Sequence, residues 1–272
     1  MKVLIKADFP EALNSNIESS KKIEVIIDDF ILQYLTPVPD DTIRIFLTSQ
    51  PEGNFNEVIK SHQHCFTYLL TQQAELLTLP NAHLFISPGS FVDPNPDIKK
   101  RFAVSTVITG RNCLPGHALR HELYVRRKEI NIPFDIYFGT WMPPGYDDPE
   151  AKHLDWGVGQ GRKDKAKAMD CMFHIAIDSF RRENHISEKL IDPLITKTIP
   201  LYWGCTNLSD YFNTDGIIQV ATVNEIIYLT NLLTQAFYYD SIASVKDNYF
   251  RALKYHKYED LLRSAILKIT KI

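Results

Sequence analysis

The sequence predicts an α/β protein whose sheets are parallel. Two observations support this class: short unbroken apolar runs recur along the chain, and segments with helical spacing separate several of them. An unbroken apolar run is typical of a strand covered on both faces, as strands are in parallel sheets. Alternation of such strands with helices defines the α/β class. With 272 residues, of which 44% are hydrophobic, the chain is long enough to bury two modest cores.

The predicted strands are short and rich in β-branched and aromatic residues. They cover residues 2–5, 23–27, 43–47, 83–87, 102–109, 134–139, 173–177, 199–204 and 216–220. Helical spacing of apolar residues predicts helices in "GHALRHELYVRRKEI", where Pro115 suits the first turn, and in "VNEIIYLTNLLTQAF". The tail is amphipathic and predicts a packed terminal helix.

A break in periodicity predicts the domain boundary. Four proline and glycine residues interrupt the segment from Ser87 to Arg101, which is typical of a linker. We therefore expect a first domain over residues 1–95, a second over 96–250, and a terminal helix in 251–272.

Composition excludes several classes of function. The net charge is −3 and the isoelectric point about 6.3, so no global basic field exists to attract nucleic acid or an anionic membrane. The four cysteines form no CxxC pair, which argues against a zinc knuckle and a disulfide framework. No stretch approaches the ~20 apolar residues of a membrane span. We expect a cytoplasmic protein with no membrane span and no nucleic-acid partner.

The segment "ENHISEKLIDPL" carries the first candidate binding residues. Ser187 is suited to cap a helix that Glu188 and Lys189 open, just beyond the predicted strand 173–177. Ligands in open parallel sheets bind beyond the carboxyl ends of strands. Lys189 suits phosphate oxygens, whereas Glu188 suits the hydroxyls of a sugar or ribose. The pair therefore indicates a sugar nucleotide, and the alternative is an ordinary solvated first turn.

A glycine-rich stretch, "WGVGQGRKDKAK", lies upstream. Its three glycines are followed by four basic residues, an arrangement whose backbone N–H groups and cations can surround phosphate. We favour Arg162 as the phosphate contact and expect Lys163 and Lys165 to face solvent. Among five histidines we expect most to lie at the surface and His185 to touch a ligand beside the binding segment; the five are His62, His64, His117, His121 and His185.

These residues resemble a known family. The segment from Met172 to Val220 is similar, over about fifty residues in register, to the donor-binding segment of the α-1,3/1,4-fucosyltransferases of glycosyltransferase family 10. That family's pattern runs F-x-[IL]-x-F-E-N-S, then T-E-K-[IL], then [IV]-P-[IV]-Y-x-G. The stretch from Val104 to Ile130 resembles its first donor-domain strand and its arginine-bearing helix more weakly.

The resemblance implies a GT-B architecture, with two Rossmann-like domains facing across a cleft, in which residues 1–95 form the acceptor side and 96–250 bind the donor. It implies an inverting, metal-independent transferase without a cofactor that moves fucose from GDP-fucose to a glycan acceptor. The donor-binding residues carried over are Arg120, Arg162, Asp178, His185, Glu188, Lys189, Tyr202, Gly204 and Asn207.

The sequence departs from the family pattern at the proposed general base. Gln50 stands where some members have Glu and cannot accept a proton, so Glu52 is the candidate base. Asp178 and Ser179 replace the Glu and Asn of F-E-N-S. The base would take a proton from an acceptor hydroxyl while Arg120, Arg162 and Lys189 stabilise the departing diphosphate.

Two other functions stay open at the level of sequence. One is a GT-B transferase of exostosin type that uses a UDP-sugar such as UDP-xylose. The other is a catalytically silent protein that binds nucleotide or carbohydrate, which Gln50 would explain. We expect no metal site, because the acidic pairs Asp28-Asp29 and Asp147-Asp148 lie in loop-like surroundings typical of solvated turns.

Overall fold

The computed structural model gives the architecture of the chain. It describes residues 3–6, 21–27, 33–48, 56–86, 88–95, 97–139, 142, 145–146, 148–154 and 165–271. The chain divides into two compact units. The first comprises 1–87, 183–185 and 257–272, and the second 88–182 and 186–256. The division of the chain into an acceptor side and a donor side stays a prediction.

The first unit contains a five-stranded parallel sheet in sequential order. Its strands are β1 (Val3–Lys6), β2 (Lys22–Ile27), β3 (Thr42–Thr48), β4 (Tyr68–Thr71) and β5 (Ala82–Leu84). Helix α1 (Asn56–Ser61) follows β3, and helix α7 (Tyr258–Thr270) packs Leu262 and Ile266 among the buried residues of β2 and β3. The predicted packed terminal helix is confirmed.

The second unit contains a six-stranded parallel sheet. Its strands are β6 (Arg101–Ile108), β7 (Phe134–Phe138), β8 (Lys152–His153), β9 (Cys171–Ile177), β10 (Ile199–Trp203) and β11 (Ile218–Gln219). Their order in the sheet is β11-β10-β9-β6-β7-β8, and every described pairing is parallel. The predicted parallel α/β class is confirmed.

Five α-helices of the second unit are described, two between strands and three after β11. They are α2 (Pro115–Val125), α3 (Glu188–Leu194), α4 (Val223–Leu232), α5 (Gln235–Asp240) and α6 (Ile242–Ala252). Pro115 lies in the first turn of α2, as predicted, because a proline there loses no intrahelical hydrogen bond. Ser187 caps α3, with its Oγ accepting a hydrogen bond from the backbone N–H of Lys189 at 3.2 Å.

The order of the second sheet reverses at β6. From β6 the chain runs outward through β7 and β8, then returns to the other side of β6 and continues through β9, β10 and β11. Adjacent strands β6 and β9 therefore send their following loops in opposite directions and leave a crevice at their carboxyl ends. Such a switch point is where open α/β sheets bind ligands.

No helix among the described residues is both long and apolar enough to cross a lipid bilayer.

Candidate functional site

A cavity of about 480 Å³ lies at this switch point. The carboxyl ends of β6 and β9 form its floor, with Thr109 and Gly110 following β6 and Ser179 following β9. Helix α2 and the start of α3 supply further walls. All of these elements belong to the second unit. Three of the residues predicted to bind the donor are brought together in this lining: Arg120, Glu188 and Lys189.

Arg120 is a buried cation in the wall of the cavity. Its position on α2 places it on the inner face of the helix, and the residue is 4% exposed. Among the described residues, neither its Nε nor its Nη2 has a hydrogen-bond partner. Burial lowers the pKa of Arg120, while the charges of Asp178 and Glu188 oppose that shift. A guanidinium remains protonated under these conditions and has two donors available for an anion.

Glu188 and Lys189 form an ion pair at the start of α3. The Nζ of Lys189 donates to Oε1 of Glu188 at 2.7 Å, and the side chains of Lys189 and Glu188 are 27% and 18% exposed. Burial raises the pKa of Glu188, but Lys189 and then Lys165 outweigh it and hold that pKa at about 2. Glu188 is therefore an ionised hydrogen-bond acceptor facing the cavity at neutral pH.

Two histidines of the lining, His117 and His174, are uncharged at neutral pH. Burial, followed by the charges of Arg120 and Lys189, lowers the pKa of His117 to about 4. Burial also lowers the pKa of His174 to about 3, with Lys165 acting in the same direction. Both side chains are available as neutral hydrogen-bonding groups. We expect most histidines of the predicted group at the surface, but His117 and His121 are buried on α2, at 4% and 8% exposure.

A glycine allows α2 to approach β9 closely. A Cβ placed on Gly116 would lie 1.7 Å from the carbonyl oxygen of Asp178, and the backbone N–H of Gly116 donates to the carbonyl of Ser179 at 3.1 Å. No other residue fits at this distance. Because Arg120 lies one turn further along the same helix, this contact sets how near Arg120 comes to the strand end.

Asp178 and Tyr202 form a network that fixes the cap of α3. Asp178 is fully buried and accepts hydrogen bonds from Oγ of Ser187 and, at 2.5 Å, from Oη of Tyr202. The Tyr202 hydroxyl in turn accepts from the backbone N–H of Cys205 at 2.9 Å. Burial, reinforced by Asp178, raises the pKa of Tyr202 well above its usual value. Neither side chain belongs to the described lining of the cavity.

Gly204 is required by the same network. A Cβ at this position would lie 2.3 Å from Oη of Tyr202 and 2.5 Å from Oδ2 of Asp178. The strand motif "IPLYWG" therefore ends in glycine here because of packing against buried polar atoms.

Two other predicted residues lie outside this lining. In the first unit, Nδ1 of the buried His185 is 3.3 Å from Nε2 of Gln72. In the second, Nδ2 of Asn207 donates to Asp210 at 2.9 Å and its Oδ1 accepts from the thiol of Cys205 at 3.1 Å. The remaining predicted residues fall outside the described part of the chain, so their roles stay predictions: Glu52, Gln50 and Arg162.

Lys165 is a lining residue that the sequence interpretation places in solvent. It is 3% exposed, and its Nζ lies 2.5 Å from Oδ2 of Asp192, which is fully buried. The prediction that Lys165 faces solvent is wrong, because α3 carries the buried carboxylate of Asp192 one turn after Glu188 and Lys165 pairs with it. The available sequence signal is the spacing of Glu188 and Asp192, four residues apart, which places both on one helical face.

One cluster of potential metal ligands occurs among the described residues away from the cavity. Ligand atoms of Asp135, Asp170 and Cys171 lie within 4.8 Å of one another. Arg101 pairs with both carboxylates, and Lys152 pairs with Asp135 at 2.8 Å. Because these cations already neutralise the carboxylates, the cluster is explained as an ion-pair network.

Asp148, from the acidic pair Asp147-Asp148 in the sequence, is bound by an arginine. Oδ2 of Asp148 accepts a hydrogen bond from Nε of Arg127 at 2.6 Å, so this carboxylate is part of a half-buried ion pair.

Comparison with known proteins gives a structural likeness without a sequence match. The sequence matches no protein-family model, and no curated protein sequence matches it. Among solved structures, TarM superposes with a TM-score of 0.61 at 11% identity over 91% of this chain and 54% of that chain.

Two further solved structures carry bound ligands. A mutant of S. aureus TarM in complex with fondaparinux, alpha-GlcNAc-glycerol and UDP gives a TM-score of 0.52 at 11% identity, over 90% of this chain and 55% of that chain. An alpha1,3-fucosyltransferase with GDP gives 0.51 at 13% identity, over 90% and 77%. The chain thus spans about half the length of TarM. At these identities the likeness shows the fold, which is that of the GT-B glycosyltransferase structures.

Proposed function

We propose that this chain is a glycosyltransferase whose cavity at the β6/β9 switch point binds the diphosphate of a nucleotide-sugar donor. The observation that carries this proposal is Arg120, a buried guanidinium in the cavity wall with two nitrogen atoms lacking partners among the described residues. Burying a cation with unfilled donors costs free energy unless a ligand anion satisfies it. The GT-B fold makes a nucleotide diphosphate the natural anion.

The charge of the lining suits that ligand. At neutral pH the described lining holds one carboxylate, Glu188, and four cations: Arg111, Arg120, Lys165 and Lys189. Asp192, directly paired with Lys165, and Asp178, whose charge acts on Arg120, reduce the excess positive charge to one. The site is therefore positive before it binds the negatively charged diphosphate of a nucleotide sugar.

GDP-fucose is the donor we propose, and membership of glycosyltransferase family 10 goes with it. The motifs around Glu188-Lys189 and "IPLYWG" support it, as does the likeness to the alpha1,3-fucosyltransferase with GDP. A UDP-sugar transferase is the second candidate, favoured by the equal likeness to the TarM complex that holds UDP. In either case the partners are a nucleotide-sugar donor and a glycan acceptor.

The proposed reaction is a single displacement at the anomeric carbon with inversion. Glu52 takes the proton of an acceptor hydroxyl, whose oxygen forms a bond to the anomeric carbon as the bond to the diphosphate oxygen breaks. Arg120 and Lys189 stabilise the negative charge that develops on the leaving diphosphate. Glu188 accepts hydrogen bonds from donor hydroxyls and orients the sugar nucleotide. These residues perform the displacement without a cofactor.

The test is titration calorimetry of the wild type and Arg120→Met with GDP, UDP and inorganic pyrophosphate. We expect the wild type to bind GDP and pyrophosphate, and Arg120→Met to lose at least roughly thirtyfold in affinity for both, since truncating a buried charge partner costs about 2–5 kcal/mol. GDP binding with no UDP binding supports the fucosyl donor, and the reverse supports the second candidate.

Arg126→Met is the matched control. Arg126 follows the last turn of the same helix and pairs with Glu129 at 2.8 Å outside the cavity lining. We expect it to bind GDP as the wild type does. The melting temperature of each unliganded variant separates loss of binding from loss of fold. Pyrophosphate affinity unchanged in Arg120→Met contradicts the proposal.

A further inference from the structure

Lys165 is the one described cation of the cavity lining that is almost fully buried and also tied to a buried carboxylate. It is 3% exposed, and its partner Asp192 is fully buried. A lysine is almost never buried without a partner, because desolvating its ammonium is costly. The mechanism above gives this ion pair no role.

Asp192 is held by two hydrogen-bond donors and one ion pair. Its Oδ1 accepts from Oγ of Ser90 at 2.7 Å and from the backbone N–H of Phe91 at 2.8 Å, while Oδ2 faces Lys165. The ammonium of Lys165 also lies 5.2 Å from the ring centroid of Phe91. These contacts hold the Lys165 ammonium in one position in the cavity wall. The ammonium of a flexible surface lysine would sample many positions.

That fixed charge acts on Glu188. Asp192 lies one helical turn after Glu188, and its partner Lys165 lines the same cavity as Glu188. The charge of Lys165 contributes, after that of Lys189, to holding Glu188 ionised against burial. Three cations therefore act around Glu188: Lys189 on α3, Arg120 on α2 and Lys165 before β9.

The three cations differ in what happens when an anion enters. Lys189 and Arg120 are the groups that we assign to phosphate, and Lys189 has two further N–H donors for that contact beside its 2.7 Å bond to Glu188. The charge of a bound phosphate then offsets that of Lys189, so Glu188 is left with less counter-charge. Lys165 is already committed to a protein partner and stays in place.

Resting on the proposed function, we propose that Lys165 is a positioning residue for the donor. Anchored on Asp192 in the same cavity lining, its ammonium attracts the Glu188 carboxylate and keeps it directed at the hydroxyl groups of the bound sugar nucleotide while Lys189 contacts phosphate. The proposal assigns Glu188 to hydroxyl recognition and separates it from phosphate binding. It therefore predicts that removing Lys165 lowers the affinity for ligands that carry hydroxyls more than the affinity for ligands that carry phosphate alone.

The experiment compares GDP with inorganic pyrophosphate by titration calorimetry. The variant is Lys165→Met/Asp192→Asn, which replaces a neutral ion pair by a neutral pair and leaves no buried charge alone. We expect its GDP affinity to fall roughly tenfold or more, the value of one charged hydrogen bond, and its pyrophosphate affinity to fall by less than about threefold. In a Glu188→Gln background the double change should cause no further loss of GDP affinity, because it acts through Glu188.

Lys152→Met is the matched control for removing a paired lysine. Lys152 pairs with Asp135 at 2.8 Å, but its side chain is 48% exposed and lies outside the cavity lining. We expect both affinities to stay at the wild-type value. If the double variant does not fold, Lys165→Gln removes the charge and keeps an amide donor for Asp192, with the same expected loss of GDP preference.

The outcomes separate this proposal from the proposed function. Wild-type protein that binds neither GDP nor pyrophosphate overturns the proposed function and this proposal with it. Wild-type protein that binds both, with a double variant whose GDP and pyrophosphate affinities fall equally or stay unchanged, overturns only the role of Lys165. The single variant Lys165→Met is measured as well. If the double variant recovers both the melting temperature and the GDP affinity that Lys165→Met loses, the ion pair is purely structural, and the positioning role of Lys165 is overturned.

Discussion

The charged side chains of the cavity differ in how well the protein itself satisfies them. Lys165 has Asp192, and Lys189 has Glu188, whereas two nitrogens of Arg120 have no partner among the described residues. An unsatisfied buried donor lowers the stability of the folded state, and such groups persist where a ligand completes them. Arg120 therefore lowers the stability of the unliganded folded state while it provides donors for a bound anion.

His174 gives a residue-level prediction about pH. Oγ of Ser105 donates its hydrogen to the carbonyl of Ala168 at 2.6 Å and lies 2.8 Å from Nδ1 of His174, so Nδ1 carries the ring proton and donates to Ser105. Burial lowers the pKa of His174 from 6.5 to about 3. Between these values the unfolded chain binds the extra proton and the folded chain does not, so stability rises with pH and is lost as pH falls from 6.5 towards 3.

The measurement is urea unfolding of the wild type and His174→Asn at several pH values from about 7 to about 4. One histidine of this kind contributes a slope of up to about 1.4 kcal/mol per pH unit. We expect the variant, whose amide can still bond Ser105, to lose that part of the slope. His153→Asn, on the exposed edge strand β8, is the control for histidine removal. Equal slopes in the wild type and His174→Asn would show that His174 is not held neutral.

The sequence predicts some of these residues and misses others for a physical reason. Glu188 and Lys189 follow a recognisable cap, and local rules suffice to place them at a helix start. Lys165 stands in a run of lysines that looks like a solvated loop, and only the tertiary fold brings it to Asp192. Asp178 is assigned to the donor by resemblance alone. Its bonds to the cap of α3 and to β10 depend on the pairing of β9 with β10, which the sequence does not reveal.

At the scale of elements, α3 depends on its surroundings more than on its own sequence. It has seven residues, and Pro193 inside it removes a backbone hydrogen bond, so it ends at Leu194. So short a helix is not stable in isolation. Its cap, Ser187, is held by Asp178 at the end of β9, which orients the first turn that carries the Glu-Lys pair.

The cap gives an element-level prediction. Ser187→Ala removes the acceptor for Lys189 N–H and leaves the buried Asp178 with one donor fewer, so we expect a loss of about 2–3 kcal/mol in unfolding free energy and a weaker affinity for pyrophosphate. Thr222→Ala removes the equivalent cap of α4, where Thr222 accepts from Glu225 N–H at 3.2 Å near the surface. It should cost about 1 kcal/mol.

Urea denaturation and pyrophosphate titration of both variants check this difference. We expect pyrophosphate affinity to be unchanged in Thr222→Ala, because α4 takes no part in the described lining. Equal effects of the two substitutions on stability and on binding would refute the view that the network at Ser187 orients the site.

Elements with strong apolar runs are the ones that the sequence predicts. The buried runs of β6, β9 and β10 are recognised because both faces of these strands are covered. The edge strand β8 is missed, since its two residues are both exposed and carry no apolar signal. Strand β4, which has four residues, is also missed.

At the scale of the whole molecule, the chain returns to its first unit at its end. Residues 257–272 belong to that unit although nearly all of the preceding stretch, from 88 to 256, belongs to the second. The amphipathic pattern predicts that α7 is packed, but its period cannot say against which core. The structure assigns Leu262 and Ile266 to the core that includes Ile23 and Ile45.

This arrangement predicts that the first unit can be weakened without loss of the cavity. Leu262 is fully buried, so Leu262→Ala should cost about 2–5 kcal/mol through lost contacts and a residual void. Hydrogen exchange by mass spectrometry should then show faster exchange in β2 and β3 and unchanged protection in β9, because the substitution lies in the first core only. Pyrophosphate affinity should stay at the wild-type value.

Leu232→Ala, at a position 59% exposed on α4, is the control and should change neither property. Faster exchange in β9 to the same extent as in β2 would show that the two units unfold as one cooperative body, and would contradict this prediction.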